Sequence, residues 1–181
     1  MSISPRVVNL VTAWTLKVTS DLQEGAERAT GHGPATQAAL VLLANRPGEN
    51  IEWLRARLAM SHPGCVRLVD RLGDQGLLER QAAADGRAVA LCLTARGRRA
   101  AKAIHRQRDR IVTEALGGIG DAEQERLRRA LEAMLRAQAP SDEALADRCC
   151  RLCEHSRCFA DGDECPVDLG FAVHAGRHEA G

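Results

Sequence analysis

The amino-acid sequence predicts a mainly α-helical fold with one small β-hairpin. Alanine, leucine and arginine dominate, tyrosine is absent, and Trp14 and Trp53 are the only aromatic residues before position 158. That composition suits helices better than a large sheet. Apolar residues recur at three- and four-residue spacings along several segments, the period of a helix with one buried face. Between residues 77 and 94 two short apolar stretches flank Asp85-Gly86-Arg87 instead, a hairpin signal.

In chain order, Val7, Val8, Leu10, Val11, Trp14, Leu16, Val18 and Leu22 mark a long helix ending before Thr-Gly-His-Gly-Pro at 30–34. It is too apolar for a lone surface helix, so part of it is expected to face a partner subunit. ATQAALVLLANRPG predicts a second helix stopped by Pro47 and Gly48, and NIEWLRARLAM a short third one with Asn50 as N-cap. In SHPGCVRLVDRLGDQGLLER, Ser61 can cap a helix whose first turn tolerates Pro63. Cys65, Leu68, Val69 and Leu72 form its buried stripe, while Arg67 and Arg71 lie one turn apart on another face. Gly76 suits the left-handed position that ends it.

The second hairpin strand alternates Val89, Leu91 and Leu93 against Ala88, Ala90 and Cys92. Thr94 can cap a long helix, and Asp121 a last one running to about Ala139 with Leu127, Leu131 and Met134 on one face. APSDE at 139–143 then reads as a linker. Two units are therefore expected: residues 1–140, one folded domain, and residues 141–181, a cysteine-rich tail. The N-terminus lacks a charged segment before a long apolar core, and no apolar run is long enough to span a bilayer. A cytoplasmic protein with no membrane partner is expected, and with no nucleophile–base pair in view, not an enzyme.

The net charge of +1 hides an asymmetry. Residues 1–140 hold 21 Arg/Lys against 15 Asp/Glu, a net of +6, and residues 141–181 hold four against nine, a net of −5. From Arg55 to Arg110 there are 13 basic and five acidic residues, a local +8. A basic middle suits a polyanion, which the acidic tail would repel.

Helix, helix, turn, basic helix, then a hairpin with an arginine at its tip is the order of a winged helix-turn-helix. Its basic helix can present Arg67 or Arg71 to guanine edges in the major groove. A tip carrying Arg87 can reach the minor groove or nearby phosphates. The helix start from Ser61 through His62 to Gly64 offers backbone N–H groups to a phosphate, and His62 itself could meet phosphate or only water. Cys65 and Cys92 read as small buried hydrophobes.

At SHPGCVRLVDRLGDQGLLER, ADGRAVALCLT and TARG the chain resembles the MarR family of bacterial transcriptional regulators, over roughly residues 6–139. The resemblance implies a homodimer held by the first and last helices, on a palindromic operator of double-stranded DNA with half-sites about one helical turn apart. It implies a repressor released when a small-molecule effector enters the crevice between dimer helices and winged helix, near His32 and Trp53, although core packing suits Trp53 better. Arg67, Arg71, Asp85 and Arg87 match the family pattern, with the wing arginine on DNA and Asp85 orienting it. Pro63 and Gly64 depart from it, standing where small hydroxyl residues are usual.

The tail holds Cys150, Cys153, Cys158 and Cys165 in the pattern C-x2-C-x4-C-x6-C, followed by Pro166. A C-x-x-C loop lets two thiolates converge on one ion, and two more complete a set of four. Phe159 and Val167 could shield it. Zinc and an iron–sulfur cluster both fit four cysteines, and a reduced or disulfide-switching tail using Cys149 and Cys150 is the third reading. The cluster is favoured, because a sensing family gives a redox-active centre a role. His155, His174 and His178 are possible substitute ligands.

Overall fold

The computed structural model describes residues 3–82, 89–140, 142–160 and 164–170. Among these, the order is α1 (Pro5–Thr30), α2 (Pro34–Asn45), α3 (Ile51–Leu58), α4 (His62–Asp74), β1 (Leu78–Ala82), β2 (Val89–Leu93), α5 (Ala95–Leu116), α6 (Asp121–Ala137), α7 (Glu143–Cys149) and α8 (His155–Cys158). The mainly α fold with a small wing is as the sequence predicts. No helix among the described residues is long and apolar enough to cross a membrane.

The helix ends follow local chemistry. The Asn50 side chain accepts from Trp53 N at 2.9 Å to start α3, and Ser61 Oγ accepts from Gly64 N at 3.3 Å to start α4. Gly31 and Gly76 sit at φ 68° and 64° after α1 and α4, the left-handed region where glycine has no Cβ to clash. One cap differs from expectation. Gly120 occupies the cap position of α6 and Asp121 is its first helical residue, where its carboxylate still favours the positive end of the helix.

α2 is the central element. Every residue from Thr36 to Leu43 is buried, because α3, α5 and β2 all pack around it. Leu54 of α3, the Cys65–Leu68–Val69–Leu72 stripe of α4, Leu78, Leu91, Leu93 and Ile104 complete one core. β1 and β2 pair antiparallel from Leu78↔Leu93 to Ala82↔Val89. Glu49 O also accepts from Leu91 N at 2.9 Å, tying the α2–α3 connection to the free edge of β2. The expected alternation in β2 holds at Leu91 and Leu93 but fails at Val89, which is exposed while Ala90 is buried. Val89 is the last paired residue, beyond the reach of the core. Cys92 is only half-buried, so of the two cysteines read as core only Cys65 is fully so.

α5 meets the start of the wing almost backbone to backbone. Thr94 caps it by accepting from Gly97 N at 3.1 Å, and donates to Gly76 O at 2.7 Å. A Cβ on Gly97 would lie 2.0 Å from Leu77 O. The glycine of the TARG motif thus sits where no side chain fits.

Candidate nucleic-acid interface and thiol cluster

α3 closes on Ala59 at φ 51°, and the chain turns through Met60 to the Ser61 cap. This tight reversal sets α3 and α4 as a helix-turn-helix. The buried stripe of α4 faces the core, which leaves Arg67 and Arg71 exposed on its outer side. Among the described residues neither guanidinium has an ion-pair partner. Their neighbours are paired: Arg80 of β1 binds Asp70 at 2.6 Å, bracing the wing on α4. Two free arginines one turn apart on an exposed helix can meet base edges or phosphates.

The helix start is less free than expected. His62 Nδ1 lies 2.6 Å from Glu52 Oε1, so His62 is held to α3. Glu52 also accepts from Arg55 at 2.7 Å, and these contacts, Arg55 first, hold its carboxyl below the usual range. Gly64 is half-buried with its N–H turned to Ser61. Asp85 and Arg87, the expected wing-tip contacts, lie outside the described residues, as do His174 and His178. Trp53 packs against the core and carries the Arg57 guanidinium 4.2 Å above its ring. A cleft of about 450 Å³ lies between α1 and α5, lined by Trp14, Val18 and Ile111, the cations Lys17, Arg28 and Arg110 and the carboxylates Asp21 and Glu114.

The tail is docked on the winged-helix unit. Arg57, 6% exposed, binds Asp147 at 2.5 Å and Glu143 at 3.0 Å, joining α3 to α7. Asn45 at the end of α2 donates to Cys153 O at 2.9 Å, and Arg108 of α5 to Leu152 O at 2.8 Å. Arg157 adds an ion pair to Asp109 at 2.8 Å. Ala146, Cys165, Val167 and the half-buried Cys150 form a small second core. Val167 is buried there as a shield, but Phe159 is largely exposed.

The four tail cysteines are free thiols gathered in this region. Cys150 and Cys153 stand close enough for the Cys150 S–H to bond a Cys153 thiolate. The Cys150 S–H and the nearby Arg108 charge favour the Cys153 thiolate, lowering it to about 7, while Cys150 is pushed up by that bond and by burial. Burial, then the neighbouring thiols Cys153 and Cys165, raise Cys158. Cys150, Cys158, Cys165, His155 and Asp168 line a cavity of about 20 Å³. Among the described residues no three His, Cys, Asp or Glu side chains already stand as a metal-ligand set. Cys149 is exposed.

His105 of α5 lies beneath the tail, with Nδ1 3.9 Å from Glu154 Oε2 and its buried Nε2 lacking a hydrogen-bond partner. Burial, then Arg108, lowers its pKa below the ordinary 6.5, and burial and Arg96 do the same to His32. The unfolded chain therefore takes up protons here before the folded one does. The stability these neutral histidines contribute is complete above about pH 6.5 and is lost as pH falls below it. Urea midpoints at pH 7 and 5.5 should show that loss, and His105→Leu should shrink it. An unchanged pH step in the variant would refute the assignment.

The MarR family model matches residues 32–88, from just before α2 to just before β2. Among solved structures the chain resembles Rv1404 of Mycobacterium tuberculosis at 24% identity, over 77% of this chain and 98% of that one, with a TM-score of 0.66. It resembles a probable transcriptional regulator of Pseudomonas aeruginosa at 26% identity, over 71% and 96%, with a TM-score of 0.53. A third is the M. tuberculosis MarR family protein Rv2887, solved in complex with salicylic acid, at 22% identity over 74% and 98%, with a TM-score of 0.56. A search of curated proteins finds no match. The chain has the winged-helix fold of these structures, and its residues 32–88 match the MarR family model.

Proposed function

We propose that the protein is a transcriptional regulator that binds double-stranded DNA as a homodimer and represses from a palindromic operator. The observation that carries this reading is the outward face of α4, where Arg67 and Arg71 stand exposed beside a wing braced by Arg80–Asp70. Dimerisation is supported by the apolar surface on the first and last long helices. Val7, Val8, Leu10, Val11, Trp14 and Leu16 of α1 are exposed, as are Leu131, Met134 and Leu135 of α6. A surface of that kind calls for a partner. Work on DNA places the protein in the cytoplasm, and its role is that of a regulator, not an enzyme.

The signal has two readings. The tail thiols, as an iron–sulfur or zinc centre, can sense redox state or metal through their docking on α3 and α5. The cleft between α1 and α5 instead favours a small aromatic acid, since Trp14 and Ile111 offer apolar walls and Arg28 offers charge, Lys17 and Arg110 being paired with Asp21 and Glu114. Rv2887 was solved with such a molecule.

Selection of an operator from random DNA, followed by fluorescence anisotropy across salt concentrations, tests the main reading. Half-sites about 10 base pairs apart and affinity falling steeply with salt are expected. Arg67→Ala should weaken binding about tenfold without shifting the thermal midpoint. Salt-insensitive binding, or none, would leave an interaction adaptor with a winged-helix fold.

A further inference from the structure

Arg57 is the buried cation of α3, and its counter-charge comes from the tail. Its Nε lies 2.5 Å from Asp147 Oδ2 and a terminal nitrogen 3.0 Å from Glu143 Oε1, two carboxylates one turn apart on α7. Among the described residues it has no other ion-pair partner. A guanidinium stays out of water only while it is paired. A tail that leaves α3 therefore draws Arg57 out of the interior and uncovers Trp53, whose ring lies 4.2 Å beneath it.

The cation sits where such a move reaches the helix-turn-helix. α3 has eight residues, too few to hold its shape without packing. Its last turn also builds the reversal into α4. Ala59 N donates to Ala56 O at 3.3 Å and Met60 N to Arg55 O at 3.2 Å, immediately before the Ser61 cap. The turn that aims α4, with Arg67 and Arg71 on its outer face, thus hangs on the residues either side of Arg57.

The far end of the tail is seated on the last long helix. A Cβ on Gly170 would stand 2.4 Å from Ala139 Cβ and 2.4 Å from Arg136 O, so this end of the tail meets the end of α6 nearly backbone to backbone. Val167 and Cys149 share a cavity of about 180 Å³ with Leu131, Met134 and Leu135, on the apolar α6 face assigned above to a second protomer. We infer that the tail is a brace between α6 and the helix-turn-helix, in which Asp147 and Glu143 hold Arg57 as a positioning residue for DNA binding. The brace gives two separate surfaces one shared element, tail docked or tail released. Its bearing on DNA rests on the DNA-binding reading, whereas the docking does not.

Hydrogen exchange and affinity for the selected operator are measured on the full chain and its variants. Glu143→Gln with Asp147→Asn removes the counter-charges at nearly constant size. Exchange in α3 and α7 should rise about tenfold while α2 keeps its protection, the sign that the fold survives. Should α2 loosen too, Asp147→Asn alone serves the same comparison. Operator affinity should fall about tenfold, at an unchanged salt slope, because no phosphate contact is lost. Adding Arg57→Met removes the stranded cation and should restore most of both, a repair that a general loss of packing would not show. Gly170→Val, at the other anchor, should speed exchange in α7 as well as at the end of α6. Unchanged α3 exchange without the counter-charges, or a loosened α3 at full operator affinity, would overturn the positioning role. Loosening confined to residues 164–170 in Gly170→Val would overturn the brace. If the parent chain binds no DNA, the regulator reading fails by itself, and the exchange measurements still decide whether α7 holds α3.

Discussion

Leu68→Ala is expected to cost about 3–4 kcal/mol of folding stability, within the range for a fully buried leucine. Leu68 has no exposed surface and lies in the stripe that seats α4 on α2 and α3. Truncation removes the transfer energy of the lost methyl groups and leaves a cavity that the surrounding core resists filling. Because Arg67 is its neighbour, the change also loosens the face proposed to meet DNA. Urea denaturation should show a lower midpoint at an unchanged slope. A loss below about 1 kcal/mol would mean that the site collapses freely, contrary to the packing seen around α4.

Gly97→Ala is expected to be destabilising by about 3 kcal/mol, the upper end for overpacking. Two effects oppose each other. Alanine is favoured over glycine within a helix by about 1 kcal/mol. Against that, the new Cβ would stand 2.0 Å from Leu77 O, 3.0 Å from Leu77 C and 3.3 Å from Leu93 Cβ. The first obstacle is a backbone carbonyl that already accepts from Thr94 N at 3.1 Å, so it cannot swing aside as a side chain would. Either α5 or the start of β1 must move, and sterics outweigh propensity. A thermal midpoint equal to or above that of the parent would show that propensity wins and that the approach is looser than described.

Both positions show how unevenly the molecule was legible. Leu68 is readable from its spacing with Cys65, Val69 and Leu72. Gly97 is visible in the sequence only as part of a motif, and its reason is a contact with a residue 20 positions earlier. The same division runs through the candidate sites. Arg67 and Arg71 could be placed on the outer face of α4 by counting residues. His62 could not be resolved that way, because its partner Glu52 belongs to another helix.

Arg57 is the clearest omission. In the sequence it is one of 13 basic residues between Arg55 and Arg110, indistinguishable from cations facing solvent. In the fold it is buried over Trp53 and paired with two carboxylates of the tail. The faint signal was Glu143 and Asp147, four residues apart at the start of an otherwise unassigned segment. Their partner, 90 positions away from Asp147, leaves no trace in local spacing. The tail consequently read as an appendage behind a linker, whereas it lies against α2, α3 and α5.

By itself the sequence determined the helices up to residue 139, all but one of the caps it assigned them, the hairpin, the buried stripe of α4 and the presence of four thiols in one short stretch. Each of these depends on neighbours within about one or two helical turns, where spacing and side-chain chemistry decide the outcome. Only the tertiary structure decided that His62 is tethered, that Gly97 admits no Cβ, and that the acidic tail folds back onto a basic body. Those outcomes depend on which distant segments the core brings within a few ångströms, and that follows from how the helices pack around α2.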